Sequence, residues 1–365
     1  MHVPLVAEKY SCGGEVQLPR RSAAAAEKCG GLGRRRHGAL TVSSCAQRKE
    51  PGGMISELSS RVLFEYKVRK TQNQKTRFIE LVVQDLVEDG HKVLVEESKG
   101  LIRNRNIVVG DLSSARIICG AHYDTPARFI LPNLVTPRNI PLLIFYQLFL
   151  ALVLVMPCLV AALLIGAVTT SELMGLLVFE LLLVLMIFLL LAGPANPNNF
   201  NDNTSGTVTL IEILKKLSAE ERAGVAVVFF DNEEKGLVGS HRFAKLHQRE
   251  LAGKLVVNFD CVSDGDILLL VRNRRMRKDA EASDVFVPSF ENSFAKEILC
   301  ASCFNPSDQM SFGNNRTVTF AAMRKARLVG LYVGRIHTSR DVIFDVRNIK
   351  VLSDGLCSYL RRSKT

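Results

Sequence analysis

VVFFDNEEKGLVGS, residues 227–240, decides the reading of this chain. An apolar strand runs into two adjacent carboxylates, Glu233 and Glu234, and then into a Gly-rich turn that opens a helix. Buried apolar strands seldom end in paired acids, because like charges held together are costly unless a cation or a shared proton offsets them. Two acids with separate tasks explain the pair. One binds a metal, and the other takes a proton from a water that the metal activates.

Working outward, other apolar stretches end the same way. RIICG (116–120) runs into Ala121-His122-Tyr123-Asp124, and LVVNFD (255–260) ends on Asp260. Residues 324–336 (RKARLVGLYVGRI) run into His337-Thr338. A Pro/Asn loop from Pro194 to Asn201 ends at Asp202-Asn203-Thr204-Ser205-Gly206, before the helical pattern TVTLIEILKKL. Strands alternating with helices, with polar residues collected at strand ends, imply an α/β sheet that carries its site along the carboxyl edge. Two imidazoles and three carboxylates (His122, Asp202, Glu234, Asp260, His337) suit two zinc-like cations ~3.5–4 Å apart that share one carboxylate and one water. Glu233 is left over as general base. Asp124, two residues beyond His122 on an extended chain, is placed to accept the imidazole N–H and fix its tautomer. Taken singly, His122 reads as a loop histidine, DNTSG as a helix N-cap and Asp260 as a strand-end acid. His337 with Asp341 four residues on is equally bland. The ordered combination carries the signal.

AHYDT, NDNTSG, NEEKGLVGS, NFD and HTSRD together resemble, in this order, the signature of the two-zinc aminopeptidases, metallopeptidase family twenty-eight of the bacterial leucyl-aminopeptidase type. The resemblance covers about residues 100–350 once an apolar insertion is set aside. It implies a phosphorylase/hydrolase-like α/β fold, a mostly parallel mixed sheet with helices on both faces. It implies two Zn2+, with Co2+ or Mn2+ as alternatives. Asp202 would be the bridging ligand, His122 and Asp260 would complete one site, and Glu234 and His337 the other. Glu233 would be the base. Asp202–Asn203 matches a peptide bond that is typically cis in this family, and Ser307-Asp308 with Phe312 is similar to an element near its substrate pocket. Asn201, Thr204 and Cys261 depart from the usual residues without removing a ligand.

The insertion is the large departure. Asn139–Ser171 holds 33 residues without a charge, and Leu173–Ala192 holds 20 with only Glu180. Each matches or exceeds the ~20 residues a helix needs to cross a ~30 Å hydrocarbon core. The expected organisation is therefore a disordered segment 1–53, a discontinuous zinc peptidase domain 54–137 and 194–365, and a transmembrane helical hairpin 138–193. Pro157 is expected to kink the first span, and Glu180 to face the partner helix near Gln147. Arg128 and Arg138 flank the hairpin on the domain side while its tip carries Glu172, which places the domain in the cytoplasm. Only residues 193–201 separate the hairpin from Asp202, at most ~30 Å of extended chain. The site then lies near a lipid bilayer, and its substrates are peptides close to the membrane.

Residues 1–53 hold nine Lys/Arg against four acids, so +5 of the net +11 falls in a stretch without apolar periodicity. Met54 opens a helical pattern (MISELSSRVLFEYKVRK), and the folded part is expected to start there. The basic run Arg272–Lys278 lacks interleaved aromatics, which argues against a nucleic-acid partner. Nine cysteines without framework spacing read as reduced and structural, Cys300 and Cys303 on an apparent helix FAKEILCASCF. Other readings of the site are a glutaminyl cyclase or dipeptidase on the same scaffold, and a non-catalytic membrane receptor.

Overall fold

The computed structural model describes residues 55–98, 100, 102–290 and 297–363, so the expected disordered segment 1–53 and its boundary at Met54 lie outside the described residues. Segments rich in Val, Ile, Leu and Phe pair into one sheet: β1 (Val93–Ser98), β2 (Asn104–Val109), β3 (Ile117–His122), β4 (Val225–Phe230), β5 (Leu255–Phe259), β6 (Ile267–Arg272), β7 (Glu297–Ala301), β8 (Arg316–Ala326) and β9 (Gly330–Tyr332). The order is β1-β2-β4-β3-β5-β8-β6-β7, with β9 against β8. The central strands β4, β3, β5 and β8 run parallel, as do β6 and β7. β1–β2, β2–β4, β6–β8 and β8–β9 are antiparallel.

β2 to β5 are buried along their whole length, which requires cover on both faces. Side chains alternate between the two covers. Ile107, Cys119, Val227 and Val257 pack with helices α1 (Glu57–Phe64), α2 (Gln72–Glu88), α5 (Gly206–Lys216) and the C-terminal helix Val346–Arg362. Val108, Ile118, Val228 and Val256 pack with Phe243 and Phe312 on the other side. Helices α3 (Ile140–Thr169) and α4 (Glu172–Ala192) interrupt the chain between β3 and β4.

Two local expectations change. FAKEILCASCF is not helical where described: Glu297–Ala301 pairs with β6 as a parallel edge strand, because cross-strand hydrogen bonds outweigh a spacing that looks helical. β1 and β8 carry no separate signal in the sequence reading. The first helix stops at Phe64 instead of running to Lys70, since Thr71 caps α2 with a capping box completed by Gln74.

α3 and α4 are long and apolar enough to cross a membrane, with mean hydropathies of 3.0 and 2.9 and only 11% and 6% of their apolar windows buried. They meet through small residues: a Cβ on Gly175 would lie 2.8 Å from the carbonyl oxygen of Ala162. Such residues let two backbones approach closely. That choice of face explains a correction. Glu180 is exposed, as is Gln147, rather than tucked against the partner helix, because five residues at 100° each turn it about 140° away from Gly175. Pro157 lies inside α3, which continues through it.

Candidate metal centre

Because β3, β4 and β5 are parallel, their carboxyl ends share one edge of the sheet, and each delivers a polar residue there. β3 ends on His122, β4 leads to Glu233 and Glu234, and β5 leads to Asp260. Asp202 arrives on the loop after the hairpin, through a cis Asp202–Asn203 peptide. α5 can start hard against the end of β5 only because residue 206 is Gly, where a Cβ would sit 2.3 Å from Phe259 O. His337 follows β9.

All six residues meet. His122 Nε2 lies 3.3 Å from Asp202 Oδ1 and 3.8 Å from Asp260 Oδ1. His337 Nε2 lies 3.0 Å from Asp202 Oδ2 and 3.6 Å from Glu234 Oε2. The two oxygens of Asp202 therefore face two different imidazoles. Ligands ~2.0–2.2 Å from a tetrahedral cation are ~3.3–3.6 Å apart, so these spacings are those of metal donors. Three donor groups converge within 4.8 Å: His122 with Asp202 and Asp260, Asp202 with Glu234 and His337, and His122 with Glu233 and Glu234. Among the described residues, buried Asp260 Oδ1 and Glu234 Oε1 have no hydrogen-bond partner, as expected of oxygens meant for a cation. The donor set fits zinc.

The ligand-bearing turns are held from behind. Asp124 faces His122 Nδ1 at a loose 3.4 Å. Its stronger contacts are elsewhere: it accepts the backbone N–H of Glu233 at 3.0 Å and of Glu234 at 3.3 Å. Asp341 does the same for Asn201 and Asp202, at 2.8 and 3.0 Å. Asn201 Oδ1 accepts Ser263 N and Asp264 N at 2.8 and 2.9 Å. Beneath the Glu pair, buried Lys75 is paired with Asp231, and its Nζ donates to Asn232 Oδ1 at 3.0 Å. Wholly buried Arg69 donates to the carbonyl oxygens of Tyr123 and Tyr66 and to Thr204 Oγ1. It thus joins the turn after His122 to the turn after Asp202. Asn232, Leu237, Cys261 and His337 hold φ between 55 and 61°, a left-handed geometry that non-Gly residues adopt at a cost and that clusters at functional sites.

The cleft is short of positive charge. Burial opposes the charge of His122, yet Glu233 and the carboxylates of Asp124, Asp202 and Asp260 hold it well above the ordinary imidazole value. Burial would raise Asp202, but His122 and His337 hold it below the usual carboxylate range. Burial pushes Glu233 well up, His122 opposing and Glu234 and Asp308 adding to it. Glu234 is pushed up by burial and then by Asp202. Burial pushes the wholly buried Asp308 carboxyl up to about 7, with His122 opposing. Burial, with Asp202 and Asp260, also raises the Cys261 thiol.

A cleft of about 220 Å³ opens over these groups, walled by Val135, Ala321, Met323, Val333 and Ile336. Asp341 closes the HTSRD motif without a role having been read for it, while Arg69 and Lys75 were not singled out in sequence as parts of this site. The family model for peptidase family M28 matches residues 193–353. The chain carries an M28 peptidase domain. The matched span begins at the first residue after α4 and leaves out His122 and Asp124, which lie on the far side of the hairpin. Similar solved structures include a glutaminyl cyclase from Porphyromonas gingivalis (15% identity, 84% of this chain and 96% of that one, TM-score 0.54). A Zn-dependent exopeptidase from Parabacteroides distasonis (13%, 83% and 94%, 0.52) and the LapA aminopeptidase of Legionella pneumophila (13%, 83% and 68%, 0.51) are also similar. At these identities they establish the M28-type α/β fold. No curated protein sequence matches significantly.

Proposed function

We propose that this protein is a membrane-anchored zinc aminopeptidase with its catalytic domain in the cytoplasm. One observation carries the reading: Asp202 turns one carboxylate oxygen to His122 and the other to His337, with Glu233 alongside. His122, Asp202 and Asp260 would hold one cation, and Asp202, Glu234 and His337 the second. Bound zinc supplies Lewis-acid polarisation of the scissile carbonyl and makes a water more acidic; cobalt and manganese are alternatives. Glu233 takes the proton of the attacking water on its carboxylate and delivers it to the leaving amine. Asp124 holds the Glu pair in position through their amides. The apolar wall of Val135, Met323, Val333 and Ile336 favours peptides with an apolar first residue. Membrane anchoring rests on α3 and α4, and the cytoplasmic side on Arg128 and Arg138 against Glu172 at the tip.

The test is hydrolysis of aminoacyl arylamides by purified, zinc-loaded protein in detergent, beside peptides that begin with Gln. The wild type should release Leu and Phe ahead of Lys and Asp. Glu233→Gln should lower kcat by about 10²–10⁴-fold with zinc content unchanged. Unchanged hydrolysis would remove Glu233 from this role, and cyclisation of N-terminal Gln without hydrolysis would move the protein to the cyclase branch.

A further inference from the structure

The domain surface at the base of the hairpin exposes apolar side chains. Leu328, on the turn joining β8 to β9, is 90% exposed, and Ile130 is 96% exposed. Phe304 is exposed as well. Hydrogen bonds bring their three segments to the first turns of α3. Asn139, the N-cap of α3, donates to Val329 O at 3.5 Å. Phe304 N donates to Pro137 O at 3.2 Å. Tyr146, in the second turn of α3, donates to Pro132 O at 2.5 Å. Residues 126–139, 302–306 and 324–332 contain no acid, while Arg128, Arg138, Lys325 and Arg327 on them are exposed.

The two helices are unequal. α3 has 30 residues and α4 has 21, and they meet at the tip. α3 therefore extends about nine residues, ~13 Å, further toward the domain. That surplus, Ile140–Leu148, carries no charge and exposes Ile144, Phe145 and Leu148. Apolar surface of this kind belongs in lipid, which brings the bilayer down to the level where Asn139 meets Val329.

We infer that the face formed by the β8–β9 turn, residues 128–138 and Phe304 lies in the headgroup layer of an anionic bilayer. Leu328 and Ile130 enter the acyl boundary, and the four cations meet lipid phosphates. This rests on the membrane-anchored reading above. Val135, within residues 128–138, pairs at 2.9 and 3.0 Å with Val333, the residue after β9, and both also wall the cleft. Peptides that lie on the membrane surface then reach the site without leaving the interface.

The chain has no Trp, so single Trp substitutions report local depth. Three variants of the full chain are reconstituted in phosphatidylcholine vesicles containing phosphatidylserine, with and without brominated acyl chains. Leu159→Trp in α3 reads the hairpin, Leu328→Trp reads the turn, and Leu94→Trp on exposed edge strand β1 is the control. Bromine should quench the first two and spare the third, and Leu328→Trp emission should move to shorter wavelength. Omitting phosphatidylserine should weaken quenching at 328 and not at 159. If 159 is quenched and 328 behaves like 94, the surface contact is wrong and the anchor stands. An unquenched 159 overturns the anchor, and this inference with it.

Discussion

Asp341 Oδ2 accepts the backbone N–H of Asp202 at 3.0 Å, while its other oxygen takes the amide of Asn201 at 2.8 Å. Asp124 grips Glu233 and Glu234 in the same way. Two buried carboxylates thus fix the two turns that carry Asp202 and the acid pair Glu233-Glu234. Asp341→Ala leaves two amides without an acceptor, each costing about 1–3 kcal/mol if it stays buried, and frees Asp202 to drift. Zinc affinity should fall about 10–100-fold. Titration calorimetry checks this, and an unchanged dissociation constant would contradict the arrangement.

Arg69 is wholly buried, and burial, opposed by Asp124, pushes its guanidinium down to about 10. Arg69→Met removes donors to Tyr66, Tyr123 and Thr204 at once. Stability should drop by about 2–4 kcal/mol, read as a lower Tm in detergent. Arg69→Lys should not restore it, since an ammonium cannot reproduce the planar fork.

Burial pushes the Asp308 carboxyl up from 3.8 to about 7. The folded metal-free protein keeps this proton to near 7, whereas the unfolded chain releases it near 3.8. The stabilisation is therefore whole below about 3.8 and is lost as pH rises through about 7. Asp308→Asn keeps the shape without ionising. Its metal-free Tm should match wild type near pH 4 and exceed it by pH 8; a constant difference across that range would sink the assignment.

Burial and neighbouring acids push Glu233 and Glu234 up, so cations in the cleft should relieve a repulsion that the stripped protein carries. Chelation should lower Tm by several degrees, and zinc at about 100 times its dissociation constant should return about 2.7 kcal/mol. The gain should shrink in Asp202→Asn. Equal Tm with and without zinc would place the ions elsewhere.

The convergence of His122, Asp202, Glu233, Glu234, Asp260 and His337 was legible because metal donors are chemically few and here stand at the ends of apolar strands. The supporting groups were not. Asp341 ends the HTSRD motif, but it meets Asp202 across 139 residues of chain, and Arg69 meets Thr204 across 135, so no local pattern shows what either one holds. β7 was misread because at a sheet edge the partner strand, not the spacing of apolar residues, decides the conformation. Glu180 went astray because small residues rather than polar ones choose how α3 and α4 touch.

β3 sits at the middle of the sheet, yet both strands that flank it, β4 and β5, are encoded after α3 and α4. A ribosome making this protein releases β3 with two bare edges and finishes the helical pair before either neighbour emerges. The nascent chain must therefore wait, its most buried strand unpaired, while more than a hundred further residues are synthesised. Assembly of the catalytic half is thereby ordered after synthesis of the hairpin, and a chain cut short anywhere before Val225 keeps only the β1–β2 pair, with no partner for β3.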